Sequence, residues 1–310
     1  MKEESRIEQG CIFNIQRFSL HDGEGIRSLI FMKGCPLRCL WCSNPESQQG
    51  TPEIGLRKAQ CIHREGCDLC VKSCPEGAVR ASGEAVEIDR DRCTRCGACA
   101  EACPTQAIQV IGENRTLEEI LETIEKDSAY YWRSGGGVTI GGGEPLFQSD
   151  FVLRILEACK ERGFDTAVET AGHGPFPDLD KLAAYTDNVY YDVKHMDAEK
   201  HKDYTGVTNE LILDNLEKLG RHRPDLPIIA RTPVVPGFNN TPADILAIER
   251  FLRDIPGVRG YELLAYHAFG APKYEQLGRH YALLDLERPE PKDLEELKEA
   301  VRSEARVKIL

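Results

Sequence analysis

No apolar run in this 310-residue chain approaches the roughly 20 residues that cross a bilayer, so no membrane span is expected. The opening Met1-Lys2-Glu3-Glu4-Ser5 is charged and leads into no apolar stretch, which does not read as a signal peptide. The expectation is a cytoplasmic protein. Basic charge is also scarce: 39 Lys and Arg stand against 51 Asp and Glu, a formal net charge of −12. Without a basic patch no nucleic-acid partner is expected, and polyanions in general are disfavoured. With 41% hydrophobic and 29% charged residues, the chain suits a globular protein of one large domain or two smaller ones.

Cysteine, by contrast, is abundant, with thirteen residues. In a secreted chain they would suggest disulfides; in tight clusters without a leader they suggest metal. Cys35-Pro36-Leu37-Arg38-Cys39-Leu40-Trp41-Cys42 reads C-x3-C-x2-C, with no fourth thiol close by. Thiolates so spaced wrap one metal centre, zinc or an iron–sulfur cluster. On a four-iron cube, three cysteines leave one iron open to bind a substrate. A three-thiol zinc site with a distant ligand, and buried cysteines without metal, compete with that reading. Cys11 and Cys159 fall outside every cluster and read as small buried hydrophobes.

Residues 51–111 hold eight more cysteines. Cys61, Cys67, Cys70 and Cys74 read C-x5-C-x2-C-x3-C-P; Cys93, Cys96, Cys99 and Cys103 read C-x2-C-x2-C-x3-C-P. The second is the bacterial ferredoxin run, in which the fourth cysteine ligates the other cluster. Cys61, Cys67 and Cys70 therefore pair with Cys103, and Cys93, Cys96 and Cys99 with Cys74. This ferredoxin-like insert has little apolar mass, so two [4Fe–4S] clusters are expected to hold it together.

After residue 111 helical and strand patterns alternate. Thr116, with Glu119 three residues on, opens a helix reaching about Arg133. Ser149 reads as the cap of a helix that stops at Gly163. Counting the strand before Cys35, six strands alternate with helices. That predicts an α/β fold with a parallel sheet, curled into a partial (β/α)6 barrel over 1–50 and 112–310. The Cys35 loop lies beyond a strand's C-terminal end, where such barrels place their chemistry. Gly142-Gly143-Glu144-Pro145 also follows a strand, with glycines that let backbone approach a ligand and a carboxylate that could accept from an ammonium. Asp192 and Lys194 share one side of a strand end, and His267 follows another strand.

Together these stretches resemble a glycyl-radical enzyme activating enzyme, the radical S-adenosylmethionine (SAM) family of pyruvate formate-lyase activase. The resemblance covers nearly the whole chain. It rests on Asp22-Gly23-Glu24-Gly25-Ile26-Arg27, the Cys35 loop with Ser43-Asn44-Pro45-Glu46, Gly142 to Pro145, Tyr191 to Lys194, Pro233 to Gly237, and Tyr266-His267. It implies that Cys35, Cys39 and Cys42 hold a catalytic [4Fe–4S] cluster, three clusters in all. Trp41, Cys42, Ser43, Gly142, Gly143, Glu144, Asp192, Val193, Lys194 and His267 would contact SAM. Lys194 and Asp22 would serve catalysis, Asp22 on a loop beside the mouth that meets the partner's glycyl loop. Glu169, Thr170, Tyr190 and Asp192 fall where the family can place a monovalent cation. The partner would be a glycyl radical enzyme, the electron donor a flavodoxin or ferredoxin, and the activase itself a monomer. Three positions depart from the family: Gly141 for the usual Ser or Thr, Glu24 for a proline, and Glu169 for an Asp. The insert excludes plain pyruvate formate-lyase activase and resembles activases for choline trimethylamine-lyase, glycerol or propanediol dehydratase, hydroxyproline dehydratase, isethionate sulfite-lyase, and arylacetate or benzylsuccinate enzymes. A radical SAM enzyme acting on a small molecule and a plain electron-transfer protein are the rival readings.

Overall fold

The computed structural model describes residues 9–310. Strand β1 (Gln9–Ser19) runs antiparallel to β2 (Arg27–Met32), the strand that delivers the chain to Cys35. The next stretch forms two small antiparallel pairs. These are β3 (Glu53–Leu56) with β6 (Ile108–Ile111), and β4 (Val79–Ser82) with β5 (Ala85–Ile88). Two short helices, α1 (Leu69–Ser73) and α2 (Ala98–Glu101), pack between them. Their apolar cluster is small and is made partly of the cysteines themselves.

The chain then returns through β7 (Glu113–Thr116), antiparallel to β1, into helix α3 (Leu117–Glu125). Thr116 and Glu119 form the expected capping box. The helix does not run to Arg133: it breaks, and α4 (Ser128–Ser134) restarts it. The cause is Asp127, whose buried carboxylate accepts from Arg17 Nε at 2.7 Å and from Ser28 Oγ at 3.2 Å. The remaining elements alternate as β8 (Gly137–Gly141), α5 (Ser149–Glu161), β9 (Asp165–Thr170), α6 (Phe176–Ala183), β10 (Asn188–Asp192), α7 (Ala198–Thr205), α8 (Glu210–His222), β11 (Ile228–Val234), α9 (Pro242–Leu252), β12 (Val258–Ala265), α10 (Ala271–Gln276) and α11 (Pro291–Arg302).

One mixed sheet collects eight strands in the order β12-β11-β10-β9-β8-β2-β1-β7. The six from β2 to β12 are mutually parallel and lie in chain order, as the alternating pattern predicts. Their helices bury Ile155, Leu216 and Ile248 against strand residues such as Ile30, Val168 and Ala230. At the β12 edge the chain end closes over: Tyr261 N–H donates to the Lys308 carbonyl and the Tyr261 carbonyl accepts from Leu310 N–H, each at 2.9 Å. That pairing removes an exposed strand edge. Ser149 is the first residue of α5 rather than its cap, and the preceding Gln148 side chain instead bonds Cys11 and Lys33 backbone. Gly163 ends α5 in the left-handed region as expected. Cys11 and Cys159 are buried in the fold, as small hydrophobes. No helix among the described residues is long and apolar enough to cross a membrane.

Candidate active site

A cleft of about 300 Å³ opens at the C-terminal ends of the parallel strands. Its wall brings together Cys35, Cys39, Trp41, Cys42 and Ser43 with Gly142, Gly143, Glu144, Asp192, Lys194 and His267. Val193 is the exception. It lies between Asp192 and Lys194, so its side chain points the other way and is fully buried in the core.

The Cys35 loop is clamped from two sides. From α7, the carbonyls of Thr205 and Tyr204 accept from Arg38 N at 2.6 Å and Leu40 N at 3.0 Å. From α10, Lys273 pairs with Glu46 at 2.7 Å and Asn44 at 2.9 Å, which gives Ser43-Asn44-Pro45-Glu46 its structural use. Gly270 lets that turn pass against Cys42, whose carbonyl would be 2.3 Å from a Cβ there. Neither helix was expected. Asp197 caps α7 and Gly206 ends it, but its solvent-facing composition carries little apolar periodicity. Trp41 packs at a tilt against Phe238 and is buried with Val235 and Tyr266.

Burial pushes the thiols of Cys35, Cys39 and Cys42 up, Cys39 to about 12. Such groups become thiolates when they bind a metal centre, which releases their protons. Lys194, nearly buried, pairs with Asp192 at 2.6 Å. Burial alone would lower its pKa, but Asp192 and the sulfurs of Cys39 and Cys35 outweigh it, and the ammonium is held charged beside the triplet.

Gly142 and Gly143 line the cleft and have a packing use as well. A Cβ on Gly142 would meet Phe31 at 2.7 Å, and one on Gly143 would meet the Gly34 carbonyl at 2.4 Å. The glycines therefore let this loop lie on the strand end that carries Cys35. Gly143 N and Glu144 N then donate to Met32 and Gly34, both at 2.9 Å. Glu144 is buried, and both its oxygens already serve the protein. Oε1 accepts from the Thr170 hydroxyl and from Leu146 N at 3.3 Å, and Oε2 from Ala171 N at 2.9 Å. Burial raises its pKa against those bonds. Its side chain braces the loop and also lines the cleft.

The Asp22 loop precedes β2, and Ser19 pairs with Arg27, so the loop lies at the N-terminal ends of the strands. It is beneath the cleft, not beside its mouth. Buried Arg27 pins it: the guanidinium bonds Thr139 at 2.7 Å, Asp165 at 2.7 Å and the Glu24 carbonyl at 3.2 Å. Only the Glu24 backbone is used, and its side chain is exposed, so replacing proline there costs no contact. The Ser19 hydroxyl donates to Asp22 Oδ2, and the Thr139 hydroxyl donates to the Asp22 carbonyl at 2.7 Å.

The four residues expected around a cation are brought together, but a residue not singled out lies among them. Arg231 donates to Glu169 and Glu262, each at 2.7 Å, and its guanidinium stands 3.8 Å from the centre of the Tyr190 ring. The signal was a lone arginine inside the apolar run Pro227 to Thr232.

In the cysteine-rich stretch one small cavity is lined by Cys61, Cys67, Cys70 and Cys103, the crossed set. Cys99 in turn lies within electrostatic reach of Cys93 and Cys74. Cys96 is exposed. Backbone amides of Ala78 and Ile108 donate to Cys74 Sγ at 3.2 Å and Cys103 Sγ at 3.4 Å. Burial raises these two thiols, but the surrounding amides outweigh it, and both pKa values fall. Among the described residues no three His, Cys, Asp or Glu side chains converge on a point suited to one ion.

Residues 90–251 match the radical SAM superfamily, and residues 60–107 match a 4Fe-4S dicluster domain. The chain is 50% identical to the (2S)-3-sulfopropanediol sulfolyase activating enzyme of Bilophila wadsworthia, over 90% of this chain and 92% of that one. It is 45% identical to the isethionate sulfite-lyase activating enzyme of Desulfovibrio desulfuricans, over 88% of each. It is 40% identical to the choline trimethylamine-lyase activating enzyme of Oleidesulfovibrio alaskensis, over 95% of each. The chain belongs to the glycyl-radical enzyme activating enzymes of the radical SAM superfamily.

Proposed function

We propose that the partner of this activase is a sulfolyase or sulfite-lyase acting on a short-chain sulfonate such as sulfopropanediol or isethionate. The family's activity is reductive cleavage of SAM and removal of a hydrogen atom from a backbone glycine of the partner. The observation that carries the partner assignment is 50% identity to a sulfopropanediol sulfolyase activating enzyme across 90% of this chain.

In this reading Cys35, Cys39 and Cys42 hold the catalytic [4Fe–4S] cluster, whose open iron supplies the site and the electron for SAM. Lys194 keeps positive charge beside those thiolates, and Glu144 keeps the Gly142 loop in place. Residues 9–50 and 112–310 form a partial barrel around the cleft, and 51–111 an inserted unit. That unit holds one cluster on Cys61, Cys67, Cys70 and Cys103 and another on Cys93, Cys96, Cys99 and Cys74. A flavodoxin or ferredoxin would deliver the electron, and the activase would work as a cytoplasmic monomer.

The reading is tested by mixing the reconstituted protein anaerobically with a sulfopropanediol sulfolyase, an isethionate sulfite-lyase, a choline trimethylamine-lyase and a glycerol dehydratase. The initial rate of glycyl radical formation on each is measured by EPR. The sulfonate enzymes should be activated fastest; a faster rate on the choline or glycerol enzyme would overturn the assignment.

A further inference from the structure

We propose that Arg231 is the cation of this site. Its guanidinium takes the place that the resemblance gives to a monovalent metal ion, and it presents positive charge to the carboxylate of SAM. The inference rests on the reading of the cleft as a SAM site.

The placement follows from strand register. Glu169 pairs with Tyr190, Asp192 with Arg231, and Arg231 with Glu262, in neighbouring parallel strands. Side chains at paired positions face one side of a sheet, so these groups form a row across β9 to β12. Arg231 reaches along that row in both directions, to Glu169 and Glu262 at 2.7 Å each, and lies on the Tyr190 ring. It also lines the cleft.

Of the groups expected to hold an ion, Glu169, Thr170 and Asp192 are each already paired through one oxygen. Glu169 accepts from Arg231, the Thr170 hydroxyl donates to Glu144, and Asp192 takes the Lys194 ammonium. Tyr190 offers its ring face to the guanidinium. A metal cation entering this row would meet a fixed positive charge at close range, in surroundings with little water to screen it. The residues present do not fit a bound monovalent ion.

The family departures explain how the arginine is accommodated. A Cβ on Gly141 would lie 2.9 Å from Glu169 Oε2 and 3.1 Å from Glu169 Cβ. Glycine at 141 leaves room for a glutamate where an aspartate is usual, and the longer acid meets the arginine two strands away. The charge balance also favours the arginine. The carboxylates of Glu144, Glu169 and Asp192 line the cleft, with Glu262 behind Arg231, and among the described residues that line it the opposing Lys and Arg side chains are Lys194 and Arg231. An anionic carboxylate ligand would be repelled if Arg231 were neutral.

The test uses the holoenzyme with all clusters reconstituted. SAM affinity is read from the change in the EPR spectrum of the reduced protein as SAM is added, at fixed ionic strength in potassium, sodium or tetramethylammonium salts. The wild type should bind SAM equally in all three, within twofold. Arg231→Gln should bind at least tenfold more weakly, and Arg231→Lys should recover most of that loss. Affinity of the wild type that rises several-fold in potassium or sodium would overturn the proposal. Equal affinity of Arg231→Gln and wild type would overturn it too, as would a lysine variant no better than the glutamine one. A wild type that binds no SAM under any salt would instead remove the SAM reading itself. The wild-type salt series stands even if a variant fails to load iron.

Discussion

Gly141 and Glu169 are one change, not two. Read along the sequence, each is a separate departure from the family; in space they touch. Gly141→Ser alone should therefore push Glu169 off Arg231, and SAM affinity should fall several-fold. Combined with Glu169→Asp, the serine has room again. The two substitutions should then be non-additive, with a coupling of about 1 kcal/mol, the range seen for residues in contact. A double-mutant cycle on SAM affinity checks it; strict additivity would mean the two positions are independent. At this scale the thiols and the glycine-rich loop were legible because their spacing is itself the signal. Arg231 was not, because its significance depends on register across four strands. Nor was the use of Glu144, since no sequence pattern says that Thr170 and Ala171 come back to hold it.

Among the elements, α7 and α10 decide whether the Cys35 loop keeps its shape, and both were overlooked. Short helices with mostly solvent-facing residues leave little periodicity to read. The strands were legible for the opposite reason: apolar runs between turn signals at regular spacing. His201 ties α7 to pH. It is buried, with its ring Nδ1 2.7 Å from the Val207 carbonyl, and burial lowers its pKa to about 4. A histidine lowered in the folded state is held neutral there. Its contribution is fully present above about pH 6.5 and is lost as pH falls through 4, a loss of about 3 kcal/mol at the acid limit. Thermal midpoints measured from pH 7 to pH 4 should fall less steeply in His201→Gln than in wild type. Parallel curves would remove His201 as the cause.

The cysteine-rich stretch is tied to the main sheet at several points. Glu53 pairs with Arg279 and with buried Lys33, and Arg90 donates to the Gln276 carbonyl at 3.2 Å. If this stretch holds the two proposed clusters, an attachment of this kind suits electron relay. Cys96→Ala should slow SAM cleavage much more with a protein donor than with dithionite. Equal slowing with both would assign these clusters a structural role.

At the scale of the whole molecule, the Cys35 loop lies at the C-terminal ends of the strands and the Asp22 loop at their N-terminal ends. The six parallel strands were legible in the sequence, but which end each loop occupies was not, because the antiparallel β1 reverses the direction. If the partner's glycine enters from the N-terminal ends of the strands, where Asp22 lies, Asp22→Asn should still bind SAM and be reduced, yet form at least tenfold less radical on the partner. A variant that activates at the wild-type rate would show that the loop does not position the glycine.

The most direct test of the activity follows one hydrogen atom. The partner is produced with glycine deuterated at Cα and incubated anaerobically with the activase, SAM and reductant. The 5′-deoxyadenosine released is then examined by mass spectrometry. It should carry one deuterium per glycyl radical formed, and neither product should appear with Cys42→Ala. Unlabelled 5′-deoxyadenosine accompanying a full yield of radical would contradict direct abstraction from the glycine.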